Sequence, residues 1–84
     1  MPEEGRRSVT LVVYSRQGCH LCEILLEELL QLVRGRAAIE VRDIDTRDDW
    51  RNEYGARVPV VACDGRVLCE YRLDEAAVRA LLGA

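Results

Sequence analysis

The sequence predicts a small α/β domain in which a four-stranded mixed sheet is flanked by three helices, in the order βαβαββα. Short apolar runs rich in β-branched residues alternate with runs whose leucines or alanines recur at helical spacing. A strand, a helix and a strand in succession predict parallel pairing through a right-handed crossover. The Asp64-Gly65 pair between two apolar runs predicts a tight antiparallel hairpin, so both kinds of pairing should share one sheet.

The first part of the chain predicts a buried strand followed by a long helix. Val9 to Tyr14 is almost continuously apolar, as expected for a central strand. From Leu21 to about Arg34, leucines recur at helical spacing with glutamates between them, and Gly35 is expected to end this helix. Residues 1–8 are polar and are predicted to form a flexible N-terminal tail, so the folded domain should span residues 9–84.

The rest of the chain predicts two helices and three strands. In chain order these are a strand at Ile39 to Ile44, a short helix at Arg47 to Tyr54 capped by Asp45 or Thr46, hairpin strands at Val58 to Cys63 and Arg66 to Tyr71, and a helix at Glu75 to Leu82 capped by Asp74. Trp50 and Tyr54 lie four apart on the short helix and are interpreted as core-facing and rim aromatics.

Composition and charge exclude several classes of function. The 84 residues carry 12 basic and 15 acidic side chains, for a net charge of −3, so no basic surface for nucleic acid is expected. No apolar run has the length of a membrane span, and the N-terminus lacks the apolar core of a signal peptide. We therefore expect a cytoplasmic monomer without a membrane partner. In a reducing compartment, its four cysteines are expected to be catalytic, metal-binding or buried rather than a disulfide framework.

Cys19-His20-Leu21-Cys22 lies between the first predicted strand and the first predicted helix. A sulfur at that position faces free backbone N–H groups and the positive end of the helix dipole, which favour the thiolate. Thiolates are the species that attack disulfides. The same spacing can also chelate zinc, but a preceding strand and a following βαβ pattern favour a redox pair.

Three segments resemble the thioredoxin superfamily, and most closely the small glutaredoxin-like proteins. Tyr14 to Cys22, Y-S-R-Q-G-C-H-L-C, is similar to the glutaredoxin Y-S-K-x-x-C-P-Y-C. Tyr54 to Pro59 resembles the approach to the family's cis-proline, and Asp74 stands where a helix-capping aspartate binds glutathione. The resemblance covers nearly everything after residue 8 and implies a thioredoxin-like fold with the strand order 2-1-3-4.

The resemblance also implies the activity of a thiol-disulfide oxidoreductase. Cys19 would be the nucleophile and Cys22 the resolving thiol, while Val58 would offer backbone hydrogen bonds to the substrate. The expected substrate-binding residues are Arg16, His20, Arg57, Val58, Pro59 and Asp74. The substrates would be disulfide-containing proteins or small thiols. Glutathione or a reductase would supply electrons, and no bound cofactor or metal is expected.

The sequence departs from the glutaredoxin pattern at three functional places. His20 and Leu21 replace the proline and tyrosine between the cysteines, and one residue is missing between Arg57 and Pro59. Tyr71 and Arg72 stand where glutaredoxins carry a Gly-Gly pair, which predicts crowding of the glutathione surface and weak binding. The thioredoxin pattern fits less well, because W-C-G-P-C and the buried strand carboxylate six residues before the first cysteine are both absent.

Two alternatives remain open at this stage. A zinc site would use Cys19, Cys22, Cys63 and Cys69. Against it, a two-residue turn pairs Cys63 with Arg66 and Cys69 with Val60, so the two hairpin cysteines should lie on opposite faces and not bond to each other. Core packing is then the default interpretation of both. The second alternative is a non-catalytic interaction module, because a fold does not fix a function.

Overall fold

The computed structural model describes residues 9–83 and has the predicted element order. The elements are β1 (Thr10–Ser15), α1 (His20–Val33), β2 (Ala38–Asp43), a 3₁₀ turn (Ile44–Thr46), α2 (Asp48–Tyr54), β3 (Val60–Cys63), β4 (Arg66–Glu70) and α3 (Glu75–Leu82). The bounds differ from the predicted ones by one or two residues at most ends. The predicted tail at residues 1–8 and the predicted last residue of the domain lie outside the described residues.

The sheet has the order β2-β1-β3-β4, and the mixed pairing and this order are both as predicted. β2 runs parallel to β1, whereas β3 is antiparallel to β1 and to β4. Val13 at the centre of β1 pairs with Val41 on one side and with Val61 on the other. β1 is therefore the inner strand from which the chain leaves toward the Cys19 loop.

Two apolar clusters cover the two faces of the sheet. Buried residues of α1 and α3, including Leu25, Leu29 and Val78, pack against Leu11 and Val13 on one face. The other face carries the second cluster, in which Trp50 and Tyr54 of α2 pack against Tyr14, Ile44, Val60 and Ala62. The Tyr14 and Tyr54 rings stack with centroids 3.9 Å apart, and Trp50 meets Tyr14 edge-on. The predicted placement of both α2 aromatics is confirmed.

The start of α2 differs from the prediction. Neither Asp45 nor Thr46 caps it; the N-cap is Arg47, and its side chain makes no capping hydrogen bond. The reason is that both predicted residues belong to the 3₁₀ turn just before the helix, where they bond to Asp43. The backbone N–H of Asp45 donates to the Asp43 carboxylate, and the Thr46 hydroxyl donates to the Asp43 carbonyl.

The register of the β3–β4 hairpin also differs from the prediction. Cys63 pairs with Arg66 as expected, but a β-bulge shifts the register so that Cys69 pairs with Val61 instead of Val60. One extra residue on the bulged strand reverses the parity of the pairing. Cys63 and Cys69 therefore lie on the same face of the hairpin, both against the α1 side of the core, and the prediction of opposite faces is wrong.

Candidate functional site

Cys19 and Cys22 form a disulfide at the start of α1, with Cα atoms 5.2 Å apart. Cys19 is the N-cap residue with extended backbone angles, and Cys22 lies in the first turn of the helix. The two sulfurs differ in accessibility: Cys19 is half-buried, whereas Cys22 is only 5% exposed. Of the two, Cys19 is the sulfur that an incoming molecule would meet first.

One backbone N–H group bonds to the outer sulfur, as its position at the helix start predicts. The Cys22 N–H donates to the Cys19 Sγ at 3.2 Å. At the same position, the Cys19 N–H donates to the Arg16 carbonyl at 3.3 Å, and the Cys19 carbonyl accepts from the Glu23 N–H. On reduction, a charge on Cys19 would lie against a backbone donor at the positive end of the helix dipole, which stabilises the thiolate.

The Val58–Pro59 peptide bond is cis, as the resemblance implies. The Pro59 side chain is buried, and its carbonyl accepts the Tyr71 N–H at 2.8 Å. Val58 is half-buried, and its own N–H donates to the Tyr54 carbonyl at 3.1 Å. Val58 was expected to bind a substrate through backbone groups. Its N–H already forms a hydrogen bond within the loop.

Both arginines among the expected substrate-binding residues are paired with carboxylates of the chain. Arg16 binds Asp45 through two hydrogen bonds of 2.9 Å. Arg57 binds Glu70 through bonds of 3.0 and 2.7 Å and also binds Glu53. These bonds raise the pKa of each guanidinium above its ordinary value, and the Arg16 bond lowers the pKa of the Asp45 carboxyl.

None of these three carboxylates was predicted to bind an arginine. Glu53 had a sequence signal, because it precedes Arg57 by four residues within or beside a helix. Asp45 and Glu70 had none, because each meets its arginine only through the tertiary fold, over 29 and 13 residues of chain.

His20 and Asp74 lie at the starts of two helices. His20 is the first residue of α1; its side chain is exposed, and its Nδ1 is 3.7 Å from a Glu23 carboxylate oxygen. Asp74 is the N-cap of α3, as predicted, and its carboxylate accepts the Ala77 N–H at 3.1 Å. The remaining acceptor capacity of that carboxylate faces solvent, because Asp74 is exposed.

Tyr71 connects the end of β4 to the cis-proline loop. Its backbone is left-handed, with φ of 67°, although it is not glycine. Its hydroxyl donates to the Ala56 carbonyl at 2.6 Å. The Tyr71 side chain therefore reaches across to the loop that contains Val58. Tyr71 also forms one wall of a groove of about 420 Å³, whose opposite wall contains Leu21 from the Cys19–Cys22 segment.

Cys63 and Cys69 are unbonded thiols among the described residues. Burial raises the pKa of both thiols above the ordinary value. Cys63 lies opposite Arg66 and Cys69 opposite Val61, so the two are diagonal neighbours, whose Cβ atoms are usually too far apart for a disulfide. Within residues 9–83, no three histidine, cysteine, aspartate or glutamate side chains converge as metal ligands.

None of the helices found between residues 9 and 83 has the length and apolarity needed to cross a membrane.

Comparisons with known proteins agree with this geometry. A protein family described as "Glutaredoxin-like domain (DUF836)" matches residues 10–83. A protein from Nitrosomonas europaea, solved by NMR in solution, is 36% identical over 89% of this chain and 92% of its own, with a TM-score of 0.79. A structural genomics target protein from X. campestris is 35% identical over 87% of this chain and 95% of its own, with a TM-score of 0.69.

A mutant thioredoxin from Halobacterium salinarum is 27% identical, with a TM-score of 0.61 over 90% of this chain and 73% of its own. No curated protein matches the sequence. The family match covers the sheet, all three helices and the Cys19–Cys22 pair. The chain therefore belongs to the glutaredoxin-like domain family and has the thioredoxin-like fold.

Proposed function

We propose that this protein is a thiol-disulfide oxidoreductase that reduces disulfides through Cys19 and Cys22. The observation that carries the proposal is the asymmetry of the pair. Cys19 Sγ accepts a backbone N–H at the start of α1 and is accessible, whereas Cys22 is buried directly behind it. One sulfur is thus suited to attack and the other to resolution, as a dithiol mechanism requires.

The reaction begins with both cysteines reduced. The Cys19 thiolate attacks one sulfur of the substrate disulfide, that S–S bond breaks, and the other substrate sulfur leaves as a thiolate that takes a proton from water. Cys22 then loses its proton and attacks the Cys19 sulfur of the mixed disulfide. The second substrate thiol is released, and the Cys19–Cys22 disulfide remains, so two electrons have passed to the substrate.

The cycle closes when a donor returns two electrons to the disulfide. Two glutathione molecules would leave as oxidised glutathione, or a flavin reductase would supply the electrons; no cofactor bound to the protein is needed. The proposed substrates are disulfides of polypeptides or of small thiols. We propose that the protein acts as a monomer in the cytoplasm.

Substrate placement in this proposal depends on the elements around Cys19. The Val58 carbonyl beside cis Pro59 would accept a hydrogen bond from the substrate backbone. Asp74 would accept one at the start of α3, and exposed His20 would interact with the substrate next to the attacked sulfur. Arg16 and Arg57 would exchange a chain carboxylate for one of the substrate, which makes them weaker anchors than unpaired arginines.

A redox titration followed by a turnover assay tests the proposal. The protein is equilibrated in buffers of oxidised and reduced dithiothreitol or glutathione, trapped in acid, alkylated and weighed by mass spectrometry. We expect a two-electron titration of Cys19 and Cys22 within the span of related dithiols, about −120 to −270 mV, and catalysis of insulin reduction.

A pair that titrates but does not accelerate insulin reduction or the reduction of a small disulfide would contradict the proposal. That result would favour the non-catalytic interaction module. A pair that stays oxidised across the whole range would also contradict it, because the cycle requires a disulfide that a cellular donor can reduce.

A further inference from the structure

Arg16 connects the redox loop to a carboxylate from another part of the fold. It lies three residues before Cys19, and its carbonyl accepts the Cys19 N–H at 3.3 Å. Its guanidinium binds the Asp45 carboxylate through Nε and Nη2, both at 2.9 Å. A bidentate pair of this kind fixes orientation as well as charge. The backbone that positions the outer cysteine is therefore tied to the 3₁₀ turn after β2.

Asp45 is itself held by its surroundings. Its N–H donates to the Asp43 carboxylate at 2.9 Å, and the Arg51 guanidinium donates to its carbonyl at 3.2 Å. Arg51 also lies 3.8 Å from the Asp45 carboxylate. These contacts come from β2 and α2, so the position of Asp45 does not depend on the redox loop.

Arg16, the basic member of the pair, lies beside the inner cysteine. Arg16 and Cys22 line the same cleft of about 320 Å³ between α1 and the end of β2. The other charged groups lining this cleft are Glu23 from α1 and Asp43 from β2; His20 pairs with Glu23 on the surface of α1. With Asp45 in place, Arg16 contributes a nearly neutral pair to this field instead of a free positive charge.

We propose that Asp45 is a positioning residue of the redox site, which holds Arg16, neutralises its charge and so sets the acidity of the Cys19 thiol. The proposal rests on the proposed function only in taking Cys19 as the attacking thiol. Because the pair is nearly neutral, removal of either partner uncovers the charge of the other. Loss of Asp45 would favour the Cys19 thiolate, whereas loss of Arg16 would disfavour it.

The test measures the pH dependence of Cys19 alkylation in fully reduced protein. The variants are Asp45→Asn, Arg16→Gln and the double variant. Asp49→Asn is the matched control, because Asp49 forms a similar two-bond pair with Arg47 at the start of α2 and its loss changes the net charge equally. Iodoacetamide labelling is followed at Cys19 by mass spectrometry, with Cys69 as an internal control.

We expect the midpoint of the Cys19 curve to fall by about half a pH unit in Asp45→Asn and to rise by a similar amount in Arg16→Gln, because one charge near the helix start changes in opposite senses. The double variant should return close to the unsubstituted protein, and Asp49→Asn should differ from it by less than Asp45→Asn does. Arg16→Lys keeps the charge and should shift the midpoint less than Arg16→Gln, which provides a second reading if Asp45→Asn folds poorly.

Shifts in the same direction for Asp45→Asn and Arg16→Gln would overturn the proposal, because they would indicate only a loosened loop. Equal shifts in Asp45→Asn and Asp49→Asn would also overturn it, since net charge alone would then explain them. Failure of the proposed function has a different signature. In that case the unsubstituted protein would not accelerate insulin reduction, whatever the alkylation curves of the variants show.

Discussion

The two pairs of cysteines in this protein have the same chemistry and opposite environments. Cys19 and Cys22 are joined at the start of α1, where the Cys22 N–H donates to the outer sulfur. Cys63 and Cys69 are unbonded in the β3–β4 hairpin, and both lie against the apolar core beneath α1. One pair lies where a charge on sulfur is stabilised, and the other lies where a charge would be desolvated.

This difference shows that location in the fold, more than the presence of a thiol, decides what a cysteine can do. A helix start provides unpaired donors and a favourable dipole, so it lowers the free energy of the thiolate. An apolar core provides neither and raises the thiol pKa, as it does for Cys63. The second pair is therefore expected to behave as small apolar side chains.

The largest expected effect comes from removing each cysteine in turn. Cys19→Ser should abolish disulfide reduction, because it removes the attacking sulfur. Cys22→Ser should trap a stable mixed disulfide with the substrate, because the resolving sulfur is gone. Cys63→Ala and Cys69→Ser, the matched controls, should keep activity within about twofold of the unsubstituted protein, as expected away from the reacting atoms. Insulin reduction and mass spectrometry of trapped adducts provide the measurements.

Loss of activity in Cys63→Ala or Cys69→Ser, with the protein still folded by circular dichroism, would contradict the difference between the two pairs. A Cys22→Ser protein that trapped no thiol partner would also contradict it, since the outer sulfur would then not be the nucleophile.

Thiol reactivity should separate the two pairs by about two orders of magnitude. Near neutral pH, a thiol with a pKa well below the ordinary value near 8.5 is largely ionised, whereas one raised above 9 is about 1% ionised or less. Cys19 of the reduced protein should therefore be alkylated about 100-fold faster than Cys63 at pH 7. A pH series of iodoacetamide labelling, read at each cysteine by mass spectrometry, measures this directly. A Cys19 that titrates at or above 8.5 would contradict the thiolate argument.

The position of Cys19 and Cys22 in the fold was predicted correctly because the sequence patterns that determine it are local. The strand that ends at Ser15 and the helix that starts at His20 both have strong periodic patterns, so the position of Cys19 between them followed directly. The same holds for the Asp74 cap and for the hairpin turn at Asp64-Gly65, where the residue types themselves favour the observed geometry.

The second pair was predicted less well because its geometry depends on the bulge in β4. A bulge adds one residue to a strand without a distinctive residue type, so the sequence predicted the wrong face for Cys69 relative to Cys63. The ion pair of Arg16 with Asp45 was missed for a related reason. Two charged side chains distant in sequence meet only when β2 returns beside β1, and composition gives no sign of which carboxylate an arginine will bind.

The hairpin pair can be tested through stability. Cys63→Ser places a hydroxyl in the core and should lower the free energy of unfolding by about 1 to 3 kcal/mol. Cys69→Ser should cost less, because Cys69 is only half-buried. Urea denaturation of the reduced proteins measures both. Equal losses would contradict the difference in burial, and no loss in Cys63→Ser would remove the argument that this thiol has a packing role.

The buried Cys63 thiol also predicts that stability depends on pH. Burial raises the Cys63 pKa above its ordinary value, so at alkaline pH the unfolded chain releases a proton that the folded protein retains. Stability should therefore be unaffected by this group near neutral pH and should fall as the pH rises through the ordinary thiol pKa of about 8.5 and beyond. The fall should be smaller in Cys63→Ala, which has no thiol at that position. An equal fall in both proteins would assign the effect to other groups.

The smallest expected effect concerns how tightly glutathione binds beside Cys19. Tyr71 spans from the end of β4 to the Ala56 carbonyl, beside the loop that would hold glutathione. We expect glutathione to bind Cys22→Ser with millimolar affinity, about −4 kcal/mol. Tyr71→Gly in that background should bind about tenfold more tightly, because glycine accepts the left-handed backbone and leaves the loop open to about one further hydrogen bond.

Tyr71→Phe, which keeps the ring and loses only the bond to Ala56, is the control and should change affinity less. Titration followed by NMR at the Val58, Leu73 and Asp74 amides gives the affinities. Micromolar binding without any substitution at Tyr71 would contradict the steric argument and indicate an ordinary glutaredoxin, and an unchanged affinity in Tyr71→Gly would show that this side chain does not limit access to Cys19.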